Sequence, residues 1–278
     1  MFDQKNDRIG IIAGQGHLPA QLIEACQSLG CFYFVLAFED QTDPIVVENI
    51  PHAWNRLGAI GKSIQLFKEQ GINTLVMAGG IKRPSWLALR PDFKAAQVLT
   101  KIGNQAFGDD GLLKAIIQLL EKEGFRVIGA HELLNELSCP AGNIGTIVPT
   151  EQEHEDLIRG FKVAKALGTV DVGQAAVVHQ GIVLAVEAVE GTDHMLLRIP
   201  LARSRIDGLS EGGVLVKASK PDQEERVDLP SIGKATILNA VKAGLRGIGL
   251  ESKKCLIINK NEVVKCADEQ GLFIYGLD

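Results

Sequence analysis

Up to about residue 130 the chain alternates between short apolar runs and segments of helical spacing, and this restricts its fold more than any other feature. Arg8 to Ala13 reads as a buried strand, Leu18 to Leu29 as a helix and Phe32 to Phe38 as a second strand. Gly61 to Gln70 has helical character, and Asn73 to Ala78 is a third strand. Asp109 to Glu123 is amphipathic, with Leu112, Leu113, Ile116, Ile117 and Leu120 on one face. Asp109 or Asp110 can cap its start and Gly124 its end. Phe125 to Ile128 returns as a strand. Strands without polar alternation are covered on both faces, so helices flank a parallel sheet. The expected fold class is α/β, with a Rossmann-like domain over residues 1–135.

The second half is patterned differently. Residues 136–150 contain Pro140, Gly142, Gly145 and Pro149 and read as a linker. Beyond it, residues 151–278 are expected to form a second α/β domain with a mixed sheet and helices. His154 to Leu167 is helical, and Ala175 to His179 and Ile182 to Val186 flank a Gln180-Gly181 hairpin turn. Gly213 to Ala218, Cys255 to Ile258 and Phe273 to Tyr275 read as strands, with helices at Lys234 to Ala243 and Asn261 to Gln270.

Composition excludes several classes. The 278 residues carry 46% hydrophobic and 23% charged side chains, as in an ordinary soluble protein. A formal charge of −5 argues against a general nucleic-acid binder, which shows a basic face. The cysteines Cys26, Cys31, Cys139, Cys255 and Cys266 form no C-x-x-C pair, which fits reduced, buried thiols in a cytoplasm and no zinc site. The six histidines show no ligand spacing. The opening MFDQKNDRIG lacks the apolar stretch of a signal peptide. The longest apolar region, Gln174 to Val189, is too interrupted to span a bilayer.

Three candidate sites lie in the first half. Gly14-Gln15-Gly16-His17-Leu18-Pro19 follows the first strand and opens a helix, where backbone N–H groups meet phosphates. The turn has half of a dinucleotide fingerprint, with Pro19 at the third glycine and Glu39 and Asp40 available to a ribose; the alternative is a plain tight turn. Gly79-Gly80-Ile81-Lys82-Arg83-Pro84 follows the third strand and suits an anion, or is an exposed charged loop. Gly108-Asp109-Asp110-Gly111 can bind a metal or sugar hydroxyls, or cap a helix.

Chemistry concentrates in the second half. Gln174, in Asp171-Val172-Gly173-Gln174, can bond a base or an amide, or belong to a turn. Glu187-Ala188-Val189-Glu190-Gly191-Thr192-Asp193 places carboxylates at a strand end, where Glu187 and Asp193 can hold Mg²⁺ or Mn²⁺; the alternative is a helix cap from Thr192 and Asp193. The run KASKPDQEERVDLPSIG offers Lys217, Lys220 and Arg226 to phosphate oxygens. Gln223 lies in the same run, and Asp228, flanked by Leu229 and Pro230, can hold metal or orient water. The mixture points to metal-assisted hydrolysis of a phosphorylated substrate, in which the protein mainly positions groups and neutralises charge.

In their order along the chain, GQGHLP, MAGGIKRP, GDDGLL, DVGQAAVV, AVEAVEGTDHMLLR, LVKASKPDQEERVDLPSIG and ADEQGLFIYG resemble the LpxI-type UDP-2,3-diacylglucosamine pyrophosphatases of lipid A biosynthesis. Two positions depart from the pattern: Glu224 replaces an aspartate and Lys234 a proline. The resemblance implies a Mg²⁺- or Mn²⁺-dependent hydrolase that yields UMP and 2,3-diacylglucosamine 1-phosphate (lipid X) by attack at the β-phosphorus. It implies that Asp228, in the R-x-D-[LV]-P segment, is the essential aspartate. It also implies two mobile domains closing on the substrate, a homodimer, and peripheral contact with the inner-membrane surface. Two rival readings are a nicotinamide-dependent oxidoreductase, from the first glycine turn, and a non-catalytic nucleotide-sugar sensor.

Overall fold

The structure is a computed structural model that describes residues 3, 4, 6–82, 89–102, 109–221 and 223–278, without the side chains of 99–102, 109 and 110. The chain divides into two compact units: Met1–Asn135 with Glu224–Asp228, and Glu136–Gln223 with Leu229–Asp278.

The first unit is built on five parallel strands: β1 (Ile9–Ala13), β2 (Tyr33–Phe38), β3 (His52–Asn55), β4 (Thr74–Ala78) and β5 (Arg126–Ile128). Their order is β3-β2-β1-β4-β5, a doubly wound arrangement; the parallel sheet and Rossmann-like class were expected from the sequence, the fifth strand β3 was not. Its helices are α1 (Leu18–Leu29), α2 (Pro44–Val47), α3 (Ile60–Glu69), α4 (Phe93–Ile102), α5 (Asp109–Lys122) and α6 (Ala130–Leu133). α1 has Pro19 in its first turn and ends on Gly30, whose left-handed backbone (φ 65°) returns its N–H to the carbonyls of Cys26 and Gln27. Phe67 of α3 joins helix to sheet, edge-on to Phe34 at 6.4 Å and to Phe125 at 6.0 Å. Leu36, Leu75, Ile117 and Leu120 close around it.

The second unit holds β6 (Gly142–Ile144), β7 (Ala175–His179), β8 (Ile182–Val186), β9 (Val214–Lys217), β11 (Gly247–Glu251) and β13 (Phe273–Leu277). They form a mixed sheet in the order β6-β13-β11-β9-β7-β8, with β9, β11 and β13 parallel to one another. β10 (Ser231–Ile232) and β12 (Leu256–Ile257) pair separately. The helices are α7 (Glu151–Thr169), α8 (Gly191–Leu197), α9 (Ile199–Arg203), α10 (Lys234–Lys242) and α11 (Lys260–Glu269). The hairpin turn stands as expected: Gln180 (φ 50°) and Gly181 (φ 75°) are both left-handed, as a two-residue turn between twisted strands demands. The buried Asp156 carboxylate accepts both turn N–H groups, at 2.8 and 2.7 Å.

Several elements differ from the sequence reading, which also lacks β3, α4, α8, α9 and β10. The stretch 136–150, read as linker, contains β6, an antiparallel edge strand on β13. α7 begins three residues before the expected start, because Thr150 and Glu153 cap its N-terminus reciprocally. The Cys255–Ile258 strand lies outside the main sheet, and the sheet position beside β9 goes to the unforeseen β11.

Candidate active site

Strand direction gathers the polar residues of the second unit at one end of its sheet. β7 runs against both β8 and β9, while β11 runs with β9. The register sets Ala175 against Lys217, Ala176 against Val186 and Leu250 beside Lys217. Gln174, Glu187, Ser219 and Glu251 therefore lie just beyond or at the same row of strand ends, where open α/β sheets place their ligands.

Glu187 is 6% exposed. Its carboxylate accepts the Gln174 N–H at 3.0 Å and the Thr192 hydroxyl at 2.6 Å, tying the loop before β7 to the first turn of α8. Thr192 thus serves Glu187 and does not cap α8. Gln223, also buried, places Nε2 3.4 Å from Gln174 Oε1 and accepts the Lys220 N–H at 3.0 Å. Lys217 is 6% exposed and donates from Nζ to the Ser231 carbonyl at 3.0 Å. Lys220 Nζ meets Asp171 Oδ1 at 2.5 Å. Asp193 accepts from Asn239 Nδ2 at 2.9 Å. The Glu190 carboxylate pairs with Arg198, and its carbonyl lies 3.1 Å from His194 Nδ1. Gly191 opens α8 with φ 78°.

Asp228 and Arg226 belong to the first unit. Arg226 grips Glu224 with Nε at 2.7 Å and Nη2 at 2.9 Å, and reaches Glu121 of α5 at 2.5 Å with Nη1. The hydrogen bonds of Arg226 hold the Glu224 carboxyl below its usual range, and Glu224 in turn raises the guanidinium. Val227 packs on the core around Phe67. The guanidinium that the sequence offers to phosphate faces two carboxylates and fastens segment 224–228. Asp228 is half-buried and its N–H reaches the Glu224 carbonyl at 3.1 Å.

The glycine turns after β1 and β4 meet each other at the switch point of the sheet. Gln15 N–H donates to Gly80 O at 2.7 Å and Gly80 N–H to Gln15 O at 3.2 Å. A Cβ on Gly14 would lie 2.5 Å from Gly80 O, and one on Gly79 (φ 87°) 2.2 Å from Gln15 O. Close backbone approach explains both glycines. A Cβ on Gly16, beside Leu18 and Pro19 at the start of α1, or on Gly80 would meet no atom within 4 Å. The Lys82 N–H donates to Gln41 Oε1 at 2.8 Å, leaving its exposed side chain outward. Arg83, Gly108, Asp222 and the side chains of Asp109 and Asp110 lie outside the described residues; Gly111 is exposed in the first turn of α5.

The donors suit a hard cation, since they are carboxylates. Among the described residues, however, no three His, Cys, Asp or Glu side chains are grouped as metal ligands. Glu187 and Asp193 are hydrogen-bonded within the second unit, and Asp228 belongs to the first. The donor chemistry fits Mg²⁺ or Mn²⁺ held by one carboxylate together with substrate phosphate oxygens, a common Mg²⁺ arrangement. All five cysteines are buried and free, and burial pushes the thiols of Cys139 and Cys255 up to about 12. Among the described residues no helix is long and apolar enough to cross a membrane.

Residues 8–137 match the LpxI N-terminal domain and residues 140–275 the LpxI C-terminal domain. A curated relative from Caulobacter vibrioides, described as UDP-2,3-diacylglucosamine pyrophosphatase LpxI, is 40% identical over 274 residues, 98% of each chain. The chain belongs to the LpxI family. Similarity to solved structures is remote. The biotin carboxylase domain of the Hydrogenobacter thermophilus 2-oxoglutarate carboxylase, in complex with MgADP, ADP and bicarbonate, shares 12% identity with a TM-score of 0.28, over 71% of this chain and 40% of that one. The N5-carboxyaminoimidazole synthetase of Staphylococcus aureus, complexed with ADP, shares 15% with a TM-score of 0.27, over 62% and 37%. This LpxI-family chain spans only about two fifths of those proteins, and at such TM-scores neither bears on its site.

Sequence reasoning missed Lys165, Ser219 and Glu251, which sit at the same strand ends. Ser219 stands between Lys217 and Lys220, inside the polar run that begins at Lys217. Glu251 ends β11, a strand absent from the sequence reading, and Lys165 lies in a helix with no pattern marking it.

Proposed function

We propose that this chain hydrolyses the pyrophosphate of UDP-2,3-diacylglucosamine to UMP and 2,3-diacylglucosamine 1-phosphate in lipid A biosynthesis. The observation that carries the reading is the 40% identity, extending over 98% of both chains, to a relative described as that pyrophosphatase. Water attacks one phosphorus, the bridging P–O bond breaks, and the other phosphate leaves with its electron pair. Lys217 and Lys220 neutralise the phosphate oxygens, for which positioned cations are the main requirement. Gln174, Gln223, Glu190, Gly191 and Thr192 contact the nucleotide or sugar. The glycine turns at Gly14–Gly16 and Gly79–Gly80, with Leu18, Pro19, Lys82, Arg83, Asp109, Asp110 and Gly111, hold the remaining anionic and hydroxyl groups. Asp228 orients the water or holds the cation, with Glu187 and Asp193 as further candidates. Bound Mg²⁺ or Mn²⁺ would polarise the phosphoryl group and lower the pKa of coordinated water. Arg226 supports Asp228 by holding its segment. A homodimer at the inner-membrane surface completes the proposal.

The purified chain incubated with UDP-2,3-diacylglucosamine and Mg²⁺ or Mn²⁺ is expected to release UMP and the lipid monophosphate in equal amounts. EDTA is expected to stop release, and added metal to restore it. Undiminished turnover in EDTA removes the cation from the reading. Intact substrate under every metal condition, from a chain that melts cooperatively, rejects the activity.

A further inference from the structure

We infer that Lys165, Ser219 and Glu251 are positioning residues that preset the backbone carrying Lys217 and Lys220. The inference rests on the phosphate-binding role proposed above for those two lysines. A Lys-Ala-Ser-Lys-Pro segment leaving a strand is ordinarily a solvated, mobile loop. Here Ser219 is 1% exposed. Its N–H and hydroxyl both donate to Glu251 Oε2, at 2.7 and 2.8 Å. Lys165 Nζ donates to both Glu251 oxygens, at 3.0 and 3.1 Å, and to the Ser219 carbonyl at 3.0 Å.

Helix α7 adds a second constraint. Gly168 lies one turn after Lys165 on the same helix face. A Cβ there would fall 3.1 Å from Lys220 Cα and 3.2 Å from Pro221 Cδ, so the helix lies flat on the loop backbone. The Lys165 and Glu251 side chains are 31% and 13% exposed, and their hydrogen bonds turn them toward each other and Ser219. Charge-assisted bonds in such partly dry surroundings are the stronger kind. The trio therefore acts on a substrate through the lysines on either side of Ser219. A misplacement of about 1 Å in such groups can cost about 100-fold in rate.

The test compares Ser219→Ala, Glu251→Gln, Lys165→Met and Lys165→Arg in the full chain, with Lys265→Met as a control at an exposed site. Expected is a loss of about 10- to 100-fold in kcat with a smaller change in KM for the first three. Lys165→Arg, which can still bridge Glu251, regains part of the rate, and Lys265→Met is unchanged. Wild-type kcat in Ser219→Ala and Glu251→Gln overturns the inference. A rate loss that vanishes below each variant's melting transition marks a purely structural role and overturns it as well. Where wild type releases no UMP, the activity proposal falls and the inference is read from calorimetric binding of inorganic pyrophosphate. Ser219→Ala then weakens that binding about 10-fold; equal affinity, or no binding by wild type, rejects it.

Discussion

Replacing Gly79 by alanine tests whether the two glycine turns are there for the sheet. Gly79 sits at φ 87°, and a Cβ would lie 2.2 Å from Gln15 O, an atom of the backbone and unable to swing aside. The left-handed backbone costs a non-glycine residue about 1–2 kcal/mol. Relief of the overlap requires the turns to part, which breaks the bonds of 2.7 and 3.2 Å between Gln15 and Gly80, each contributing about 1 kcal/mol. The sum is about 3–4 kcal/mol, or on the order of 10 °C in the melting temperature of a unit this size. Gly80→Ala is the internal control: no atom lies within 4 Å of its Cβ position and its φ is not left-handed. Calorimetry of both variants decides the point. Gly79→Ala is expected to melt far below wild type and Gly80→Ala close to it. Should both melt together within about 1 °C of wild type, the close-approach argument fails, since about 3 kcal/mol would shift the transition severalfold more.

Two further outcomes follow from the site. Asp228→Ala is expected to abolish UMP release in a chain that still melts cooperatively, because Arg226 keeps its bonds to Glu224 and Glu121 and so holds the segment; wild-type kcat in the folded variant removes Asp228 from the reaction. His179 supplies a pH dependence of stability. Burial, with Arg203 beside it, holds this imidazole below its usual range, against the weaker opposite pull of Asp156 and Glu153. Its Nδ1 has no hydrogen-bond partner among the described residues. The folded state thus favours the neutral ring, while the unfolded chain takes up a proton as pH falls through about 6.5. The stability is present above that value and is lost as pH falls below it. Wild type should lose more melting temperature than His179→Gln between pH of about 7.5 and 5.5, and parallel curves would contradict the assignment.

Local pattern carried far in this chain. The continuous apolar runs of β1, β2 and β4 specify strands covered on both faces, and their alternation with helical segments specifies a parallel sheet. Gln180-Gly181 specifies its hairpin because few residue pairs tolerate two left-handed conformations in succession. The ordered motifs also pointed to the LpxI family, because such matches require only the linear order of residues.

β11 escaped notice for a physical reason. Gly-Ile-Gly-Leu-Glu is a poor strand on its own, since glycine offers a sheet no side chain to pack. Its merit exists only in place, where a Cβ on Gly247 would meet the Phe273 ring at 2.1 Å and one on Gly249 the Leu157 side chain at 2.5 Å. Because β11 carries Glu251 to the end of the sheet, missing the strand meant missing the Ser219 anchor too.

Residue types and their order along the backbone settled the α/β class, most strands and helices, the hairpin and the family. Tertiary structure alone decided the partners: Arg226 to Glu224 and Glu121, Glu187 to Gln174 and Thr192, Ser219 to Glu251 and Lys165. Periodicity reports which face of an element turns inward, whereas a side chain's partner depends on which strands become neighbours, and that order is fixed by packing across the whole unit.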